Sequence, residues 1–205
     1  MPPGGSILSL DGLTFLAREL DTIARHRRGV CDGVPTFLDR FGHLLTTEDR
    51  AVFESLPANF GPTVAPFSES PFTLIHRDLS GKNTLIGGTP EEPEFVLIDW
   101  QQVSLGPGVR DLSFFVGNSV HRATRSVHLD LLREYHGGLM ARGVAGYGFD
   151  QFVDAYRLSL LCDFARTVAF GVNSPRPLTP SIVGHTIDSR TGTASAFSLL
   201  DLLMA

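Results

Sequence analysis

HRDLSGKN at residues 76–83 and LIDW at residues 97–100 are the two segments of this 205-residue sequence around which its architecture is best understood. Short β-prone runs border them: TLI occurs at 73–75 and again at 84–86, and FVLI occurs at 95–98. Turn-rich residues separate the last two runs. The pattern predicts a small sheet or a pair of hairpins that holds both segments.

Three oxygen-bearing side chains stand out in these segments. Asp78 and Asn83 are five positions apart, which on a helix at about 100° per residue would point them about 140° away from each other. They therefore converge only if residues 76–83 form a loop, which Gly81 and the flanking strands favour. Asp99 then closes the next hairpin, so we expect the three side chains to meet.

Helical spacing of apolar residues predicts helices on both sides of the β segment. Upstream, helices are expected over 10–28 with Gly29 as the stop, over 34–45, and from a capping box at Thr46 to about residue 56, before Pro57; residues 58–71 are expected to be a long loop. Beyond Gly106-Pro107-Gly108, helices are expected over 111–118, 121–140, 149–170 and 194–204, with an irregular proline-rich connection before the last. The predicted fold class is α+β and mainly helical, with a small central β hairpin insertion.

Composition excludes several classes of protein. The net charge is -5 and Lys and Arg form no runs, which argues against a nucleic-acid surface or a polybasic membrane patch. No apolar run is long enough to span a bilayer and the N-terminus has no basic leader pattern, so a cytoplasmic protein is expected. Cys31 and Cys162 match no metal spacing and are expected to be buried thiols. Charged residues make up only 19% of the chain, which leaves room for an unpaired apolar face.

The chemistry of the three oxygen-bearing side chains favours magnesium, because carboxylates and amide oxygens are hard ligands. Phosphoryl transfer from a nucleotide needs one carboxylate to accept the proton of the attacking hydroxyl, and further oxygen ligands for the metal. By position, Asp78 is the candidate base, and Asn83 and Asp99 are the candidate metal ligands. Lys82 could contact the transferring phosphoryl group as a point charge.

These segments resemble the catalytic loop and metal-binding Asp of the protein-kinase-like superfamily, whose loop reads H-R-D-L-x-x-x-N. Ile98-Asp99-Trp100 stands where protein kinases have Asp-Phe-Gly, which is similar to the aminoglycoside phosphotransferase and choline kinase-like families. The run DWQQ at 99–102, with DLSFF at 111–115, looks closest to their bacterial ecdysteroid kinase-like branch.

The resemblance implies Mg²⁺ and ATP, or GTP, as cofactors and a hydroxyl of a small molecule as the acceptor. It also implies a structural role for His76 and for Asp111; from its position before an apolar helix, Asp111 is expected to be an N-cap that also braces the catalytic loop. Leu85 and Ile98 would lie under the adenine ring, although packing in the core would explain them equally well. Trp100 is expected to be a packing anchor, whereas the histidines at 121, 128, 136 and 185 are expected at the surface or in caps.

No glycine-rich loop and no strand lysine of the kinase type lie upstream of His76. We therefore expect residues 1–205 to be a kinase-like C-terminal lobe whose apolar face is covered by a missing N-terminal lobe or by a second copy in a homo-oligomer. Two other functions remain open: a non-catalytic binding or regulatory module, and a metal-dependent hydrolase built on His76, Asp78 and Asp99. The hydrolase is the weaker of the two, because no further ligand has the usual spacing.

Overall fold

The structure, a computed structural model, describes residues 19–69, 71–119, 125–173 and 197–204. Within those ranges the helices are α1 (Glu19–Phe41), α2 (Thr47–Val64), α3 (Val109–Ser119), α4 (Arg125–Ala141), α5 (Phe149–Asn173) and α6 (Leu199–Met204). The strands are β1 (Phe72–Ile75), β2 (Thr84–Gly88), β3 (Pro93–Leu97) and β4 (Ser104–Pro107). The predicted fold class, mainly helical with a small β insertion, is confirmed.

The strands form two antiparallel pairs, one inside the other. β1 pairs with β4, from Phe72 opposite Pro107 to Ile75 opposite Ser104. β2 pairs with β3, and the ladder ends with Thr84 opposite Leu97. Because the outer pair closes directly around residues 76–103, the loop after β1 and the segment after β3 are held at the same end of the β structure.

The apolar core lies between α1, α2 and α5. Phe53 on α2 contacts Phe37 on α1 and Phe164 on α5, with ring centroids 4.9 and 5.0 Å apart, and all three side chains are buried. The helices α1 and α5 approach closely where Gly171 faces Phe37, since a Cβ at Gly171 would lie 2.7 Å from the ring. Burying each aromatic side chain contributes about 1.5–3 kcal/mol, so this cluster is the main source of stability that the packing shows.

A polar contact joins α3 to the opposite side of α5. Arg110 donates from Nη1 to Asp163 Oδ1 at 3.1 Å and to the Ser159 carbonyl oxygen at 2.7 Å. Ser113 donates to the other carboxylate oxygen of Asp163 at 2.9 Å. All four residues are buried, and such a pair is retained only when its charges are compensated in this way. The contact sets the position of α3, which begins directly after β4.

Two predicted helix ends are wrong. The helix α1 continues through Gly29 and contains Pro35, and α2 continues through Pro57 and Pro62 to Val64. The apolar stripe explains the second case: Leu56, Phe60 and Val64 are buried on one face of α2, and the burial offsets the lost backbone hydrogen bonds. The loop expected over 58–71 is therefore largely helical, ending in a 3₁₀ turn at Ala65–Glu69.

Other local predictions are confirmed. Thr46 caps α2 by accepting a hydrogen bond from the Asp49 backbone N–H at 3.2 Å. Cys162 is a buried thiol outside any disulfide.

The strand β4 was not predicted, because Ser104–Pro107 ends in the breakers Gly106 and Pro107. The predicted features at 10–18, 121–124 and 174–196, and the side chain of Cys31, lie outside the described residues. In the ranges that the structure describes, no helix is both long and apolar enough to cross a bilayer.

Candidate active site

His76 joins the loop after β1 to the segment that carries Asp99. Its Nε2–H donates to the Ile98 carbonyl oxygen at 2.7 Å, and its Nδ1 accepts from the Asp78 backbone N–H at 3.3 Å. The ring is buried and packs on Trp100, with centroids 4.7 Å apart. Since both ring nitrogens are used in this way, His76 supports the loop as a neutral imidazole, as expected. Trp100, which was expected to be a packing anchor, packs on the His76 ring but is 43% exposed, so it is not buried in the core.

Asp111, in the first turn of α3, holds the same loop from below. Its carboxylate accepts the backbone N–H groups of His76 at 2.6 Å and Arg77 at 2.8 Å. Burial raises the pKa of Asp111, and the two N–H donors act against that rise. The bracing role is as predicted, whereas the N-cap role is wrong, because the carboxylate bonds to the loop and lies inside the helix rather than at its cap.

Asp78, Lys82 and Asn83 are in direct contact. The Asn83 amide nitrogen donates to the Asp78 carbonyl oxygen at 2.8 Å and to its carboxylate Oδ2 at 3.1 Å. Lys82 Nζ lies 3.3 Å from the same carboxylate oxygen. The amide nitrogen of Asn83 is thus engaged, and only the amide oxygen could serve as a metal ligand. Asp78 Oδ1 is the carboxylate oxygen that neither of these two contacts uses.

Asp99 is brought to the same end of the β structure by the backbone. Ile98, the residue before it, donates its N–H to the Asn83 carbonyl oxygen at 3.0 Å, while its own carbonyl oxygen accepts from His76. Ile98 is therefore bonded to both ends of the loop. Asp99 itself has a left-handed backbone, with φ 64° and ψ 54°, which costs a non-glycine residue about 1 kcal/mol or more. Its exposed carboxylate makes no capping bond to the 3₁₀ turn that follows.

The candidate ligands, the Asp99 carboxylate and the Asn83 amide oxygen, are hard oxygen donors of the kind that magnesium prefers, and the Asn83 amide nitrogen is already engaged. By contrast, no three His, Cys, Asp or Glu side chains among the residues that the structure describes are grouped to hold a metal ion. His76, Asp78 and Asp99 do not form such a group, and both His76 nitrogens make other bonds. The described residues therefore give the hydrolase alternative no metal group to rest on.

A cavity of about 410 Å³ opens beside the loop. Its described lining comes from both the loop and α3: Ser80, Gly81, Lys82, Phe114 and Asn118. The Arg166 guanidinium of α5 lies 4.3 Å from the centre of the Phe114 ring. Burial lowers the pKa of Arg166, and nearby Asp163 opposes the shift, so the side chain keeps its charge.

Sequence reasoning missed Asn118 and Arg166 as residues near the loop. Arg166 is 89 positions from its loop partner Arg77, and no local pattern connects them. The available signal was the pair of charged residues Asp163 and Arg166 inside the mainly apolar stretch at 158–170, since charges in such a run are seldom buried without partners.

Leu85 and Ile98 are not core residues. Their exposed fractions are 54% and 38%, and Val96 lies opposite Leu85 at 54%. Packing in the core is therefore the wrong explanation for them, and both are accessible to a ligand. Ile86 and Phe95, opposite one another on the other face of the hairpin, are exposed as well. Both faces of this hairpin therefore expose apolar side chains.

Two further expectations need correction. His128 is buried and bonds through Nδ1 to the Tyr156 hydroxyl at 3.0 Å, so it is not a surface residue. His136 is half-buried and bonds to the Tyr147 carbonyl oxygen. Among the apolar residues of the helices after Gly108, Leu132 and Phe164 are buried in the core, while Phe114 lines the cavity beside the loop.

A catalytic loop that carries Asp and Asn, joined to an Asp on the next hairpin and supported by helices, is the arrangement of the kinase-like phosphotransferases. Residues 10–147 match the model of the phosphotransferase enzyme family. The chain belongs to that family, within the aminoglycoside phosphotransferase and choline kinase-like superfamily. Searches of the curated proteins and of the solved structures returned no match.

Proposed function

We propose that this protein transfers the terminal phosphoryl group of ATP or GTP to a hydroxyl of a small molecule. The observation that carries the proposal is the contact set of Asp78, Lys82 and Asn83, with Asp99 placed beside it through the backbone of Ile98. Asp78 orients the acceptor hydroxyl and takes its proton as the oxygen attacks phosphorus. Lys82 offsets charge on the transferred group.

Asn83 and Asp99 would hold Mg²⁺. When bound, the ion supplies charge neutralisation at the phosphate oxygens. The nucleotide base would lie on the exposed side chains of Leu85 and Ile98, which present apolar surface on the same hairpin. ATP and GTP are both consistent with this surface, because neither side chain has a group that reads the base edge.

The acceptor would bind in the cavity next to the loop. Phe114 supplies an apolar wall, Asn118 a polar group, and Lys82 a positive charge; among the described lining residues there is no carboxylate. This favours an uncharged or hydrophobic alcohol over a polycationic one. Such an acceptor would agree with a place near the bacterial ecdysteroid kinase-like branch, and the presence of ATP and GTP would place the reaction in the cytoplasm.

The exposed hairpin also supports a proposal about architecture. Leu85, Val96 and Ile98 form a surface that a β lobe with a glycine-rich loop, or a second copy of this chain, would cover. The described residues include no glycine-rich loop that would cover the nucleotide phosphates. We therefore expect the 205-residue chain alone to transfer phosphoryl groups at a low rate.

The first test is Asp78→Asn, assayed by transfer of labelled γ-phosphate to a set of neutral alcohols. We expect a loss of about 10²–10⁴-fold in kcat with nucleotide affinity unchanged, because the general base acts in the transition state. Asp130→Asn, an exposed carboxylate paired with Arg133 on α4, is the matched control and should keep full activity. Retained turnover in Asp78→Asn would exclude Asp78 as the base.

The second test concerns the metal. Asp99→Ala should weaken magnesium-dependent ATP binding, measured by calorimetry, while ATP without magnesium binds as before. If wild-type protein shows no binding of ATP with magnesium at millimolar concentration, the chain is a non-catalytic binding or regulatory module instead.

A further inference from the structure

The side chain of Arg166 connects α5 to the catalytic loop. Its Nη1–H donates to the Arg77 carbonyl oxygen at 3.2 Å. That carbonyl belongs to the peptide between Arg77 and Asp78, so a bond to it acts on the backbone that carries the candidate base.

This peptide is held from both sides. Asp111 accepts the N–H groups of His76 and Arg77 from the direction of α3, and the Asp78 N–H donates to His76 Nδ1. Arg77 has a positive φ of 68°, an orientation that a non-glycine residue adopts only where its surroundings hold it. Arg166 supplies the bond to the carbonyl side, so both edges of the strained turn are fixed.

Arg166 is itself fixed by its surroundings. Its guanidinium lies over the Phe114 ring, and this planar group both stacks and donates in directions set by its geometry. A helix packed only for stability would not need a mostly buried guanidinium here. The same ring lines the cavity, so Arg166 lies between the loop and the wall of the acceptor site.

We propose that Arg166 is a positioning residue: it fixes the peptide before Asp78, and with it the orientation of the Asp78 carboxylate beside Lys82, which lines the cavity. As a role in catalysis this rests on the proposed phosphotransferase function. The effect on the loop is separate and is measured without turnover.

The test uses the full chain, ¹⁵N-labelled, with Arg166→Met, which keeps the aliphatic stem, and Arg166→Lys, which keeps the charge. We expect Arg166→Met to shift the amide signals of residues 76–83 and to speed hydrogen exchange at His76 and Arg77 about tenfold, since a charge-assisted bond is lost. Arg166→Lys should give a smaller change. If the wild-type protein is active, Arg166→Met should lower kcat about tenfold or more with the nucleotide KM unchanged. Arg166→Lys should have a kcat between those of Arg166→Met and the wild type.

Arg157→Met is the matched control. Arg157 lies on the same helix and also donates to carbonyl oxygens, those of Phe197 and Ser198, but these lie at the start of α6. It should leave residues 76–83 unchanged. If Arg166→Met affects those residues no more than Arg157→Met does, or shifts them without lowering kcat, the proposal is wrong. If Arg166→Met fails to fold, the same comparison is made with Arg166→Lys. If wild-type protein transfers no phosphoryl group, the proposed function fails while the amide data still decide whether Arg166 holds the loop.

Discussion

The two sides of α5 are stabilised in different ways. One side contributes Phe164 to the aromatic cluster with Phe53, where contact area matters more than exact orientation. The other side carries Ser159, Asp163 and Arg166, which bond to α3 and to the catalytic loop at defined distances. Changes on the first side should therefore alter stability alone, whereas changes on the second should alter stability and the geometry of the site.

The largest effect is expected on the apolar side. Phe53→Ala should lower the free energy of unfolding by about 4 kcal/mol, because it removes a buried ring and leaves a cavity. Urea unfolding measures this, with Phe170→Ala as control, since Phe170 is 51% exposed. If Phe53→Ala does not fold, Phe53→Leu should still show a loss of about 1 kcal/mol. Signals of residues 76–83 that move in folded Phe53→Leu would contradict the distinction between the two sides.

On the polar side, Asp163→Asn should cost about 3 kcal/mol, because it leaves the Arg110 charge buried without its carboxylate. The amide signals of residues 76–83 should also move, since Arg110 and Arg166 both lie near Asp163. The same urea and NMR measurements apply. A loss of stability with an unchanged loop would show that the polar side acts only as packing.

Two buried titratable groups give opposite pH dependences. Burial lowers the pKa of His128 from 6.5 to about 4, so its contribution to stability is lost as pH falls from 6.5 towards 4. Burial raises the pKa of Asp49 from 3.8 to about 6, so its contribution grows as pH falls from 6 towards 3.8. Each amounts to about 3 kcal/mol, and the two offset each other in the wild-type protein.

Single variants separate these contributions in unfolding measurements from pH 7 to pH 4. His128→Phe should become more stable relative to wild type as the medium is acidified, and Asp49→Asn should become less stable. Parallel curves for wild type and both variants would show that burial does not set these pKa values.

The smallest effect is expected at the start of α2. Thr46→Val removes the acceptor for the Asp49 N–H and should cost about 1 kcal/mol, or about 2–4 °C in Tm. Thr47→Val, one position later and also exposed, is the control. Equal Tm values for the two variants would argue against the cap.

What could be predicted from sequence was local. The strands beside HRDLSGKN and the convergence of Asp78 with Asn83 followed from short-range patterns, and the structure has both. Two predictions based on glycine and proline were wrong. The helix α2 continues past Pro57 because Phe60 is buried, and the segment that contains Gly106 forms a strand because it pairs with β1. Arg166 could not be placed, since only the packing of α5 against the loop brings it to Arg77.

Gly88, at the far end of the hairpin, determines on which face of the ribbon Asp99 lies. Side chains on both faces of β2 and β3 are apolar and exposed, so the usual inside-outside alternation does not select one alignment of the strands. The turn selects it instead: Gly88 has φ 74°, and a Cβ there would clash with the Glu92 carbonyl oxygen, so only glycine permits this turn. A shift of one residue in the pairing of β2 with β3 would carry Asp99 to the opposite face of the ribbon. A substitution at Gly88 can therefore displace a candidate metal ligand with which it has no contact.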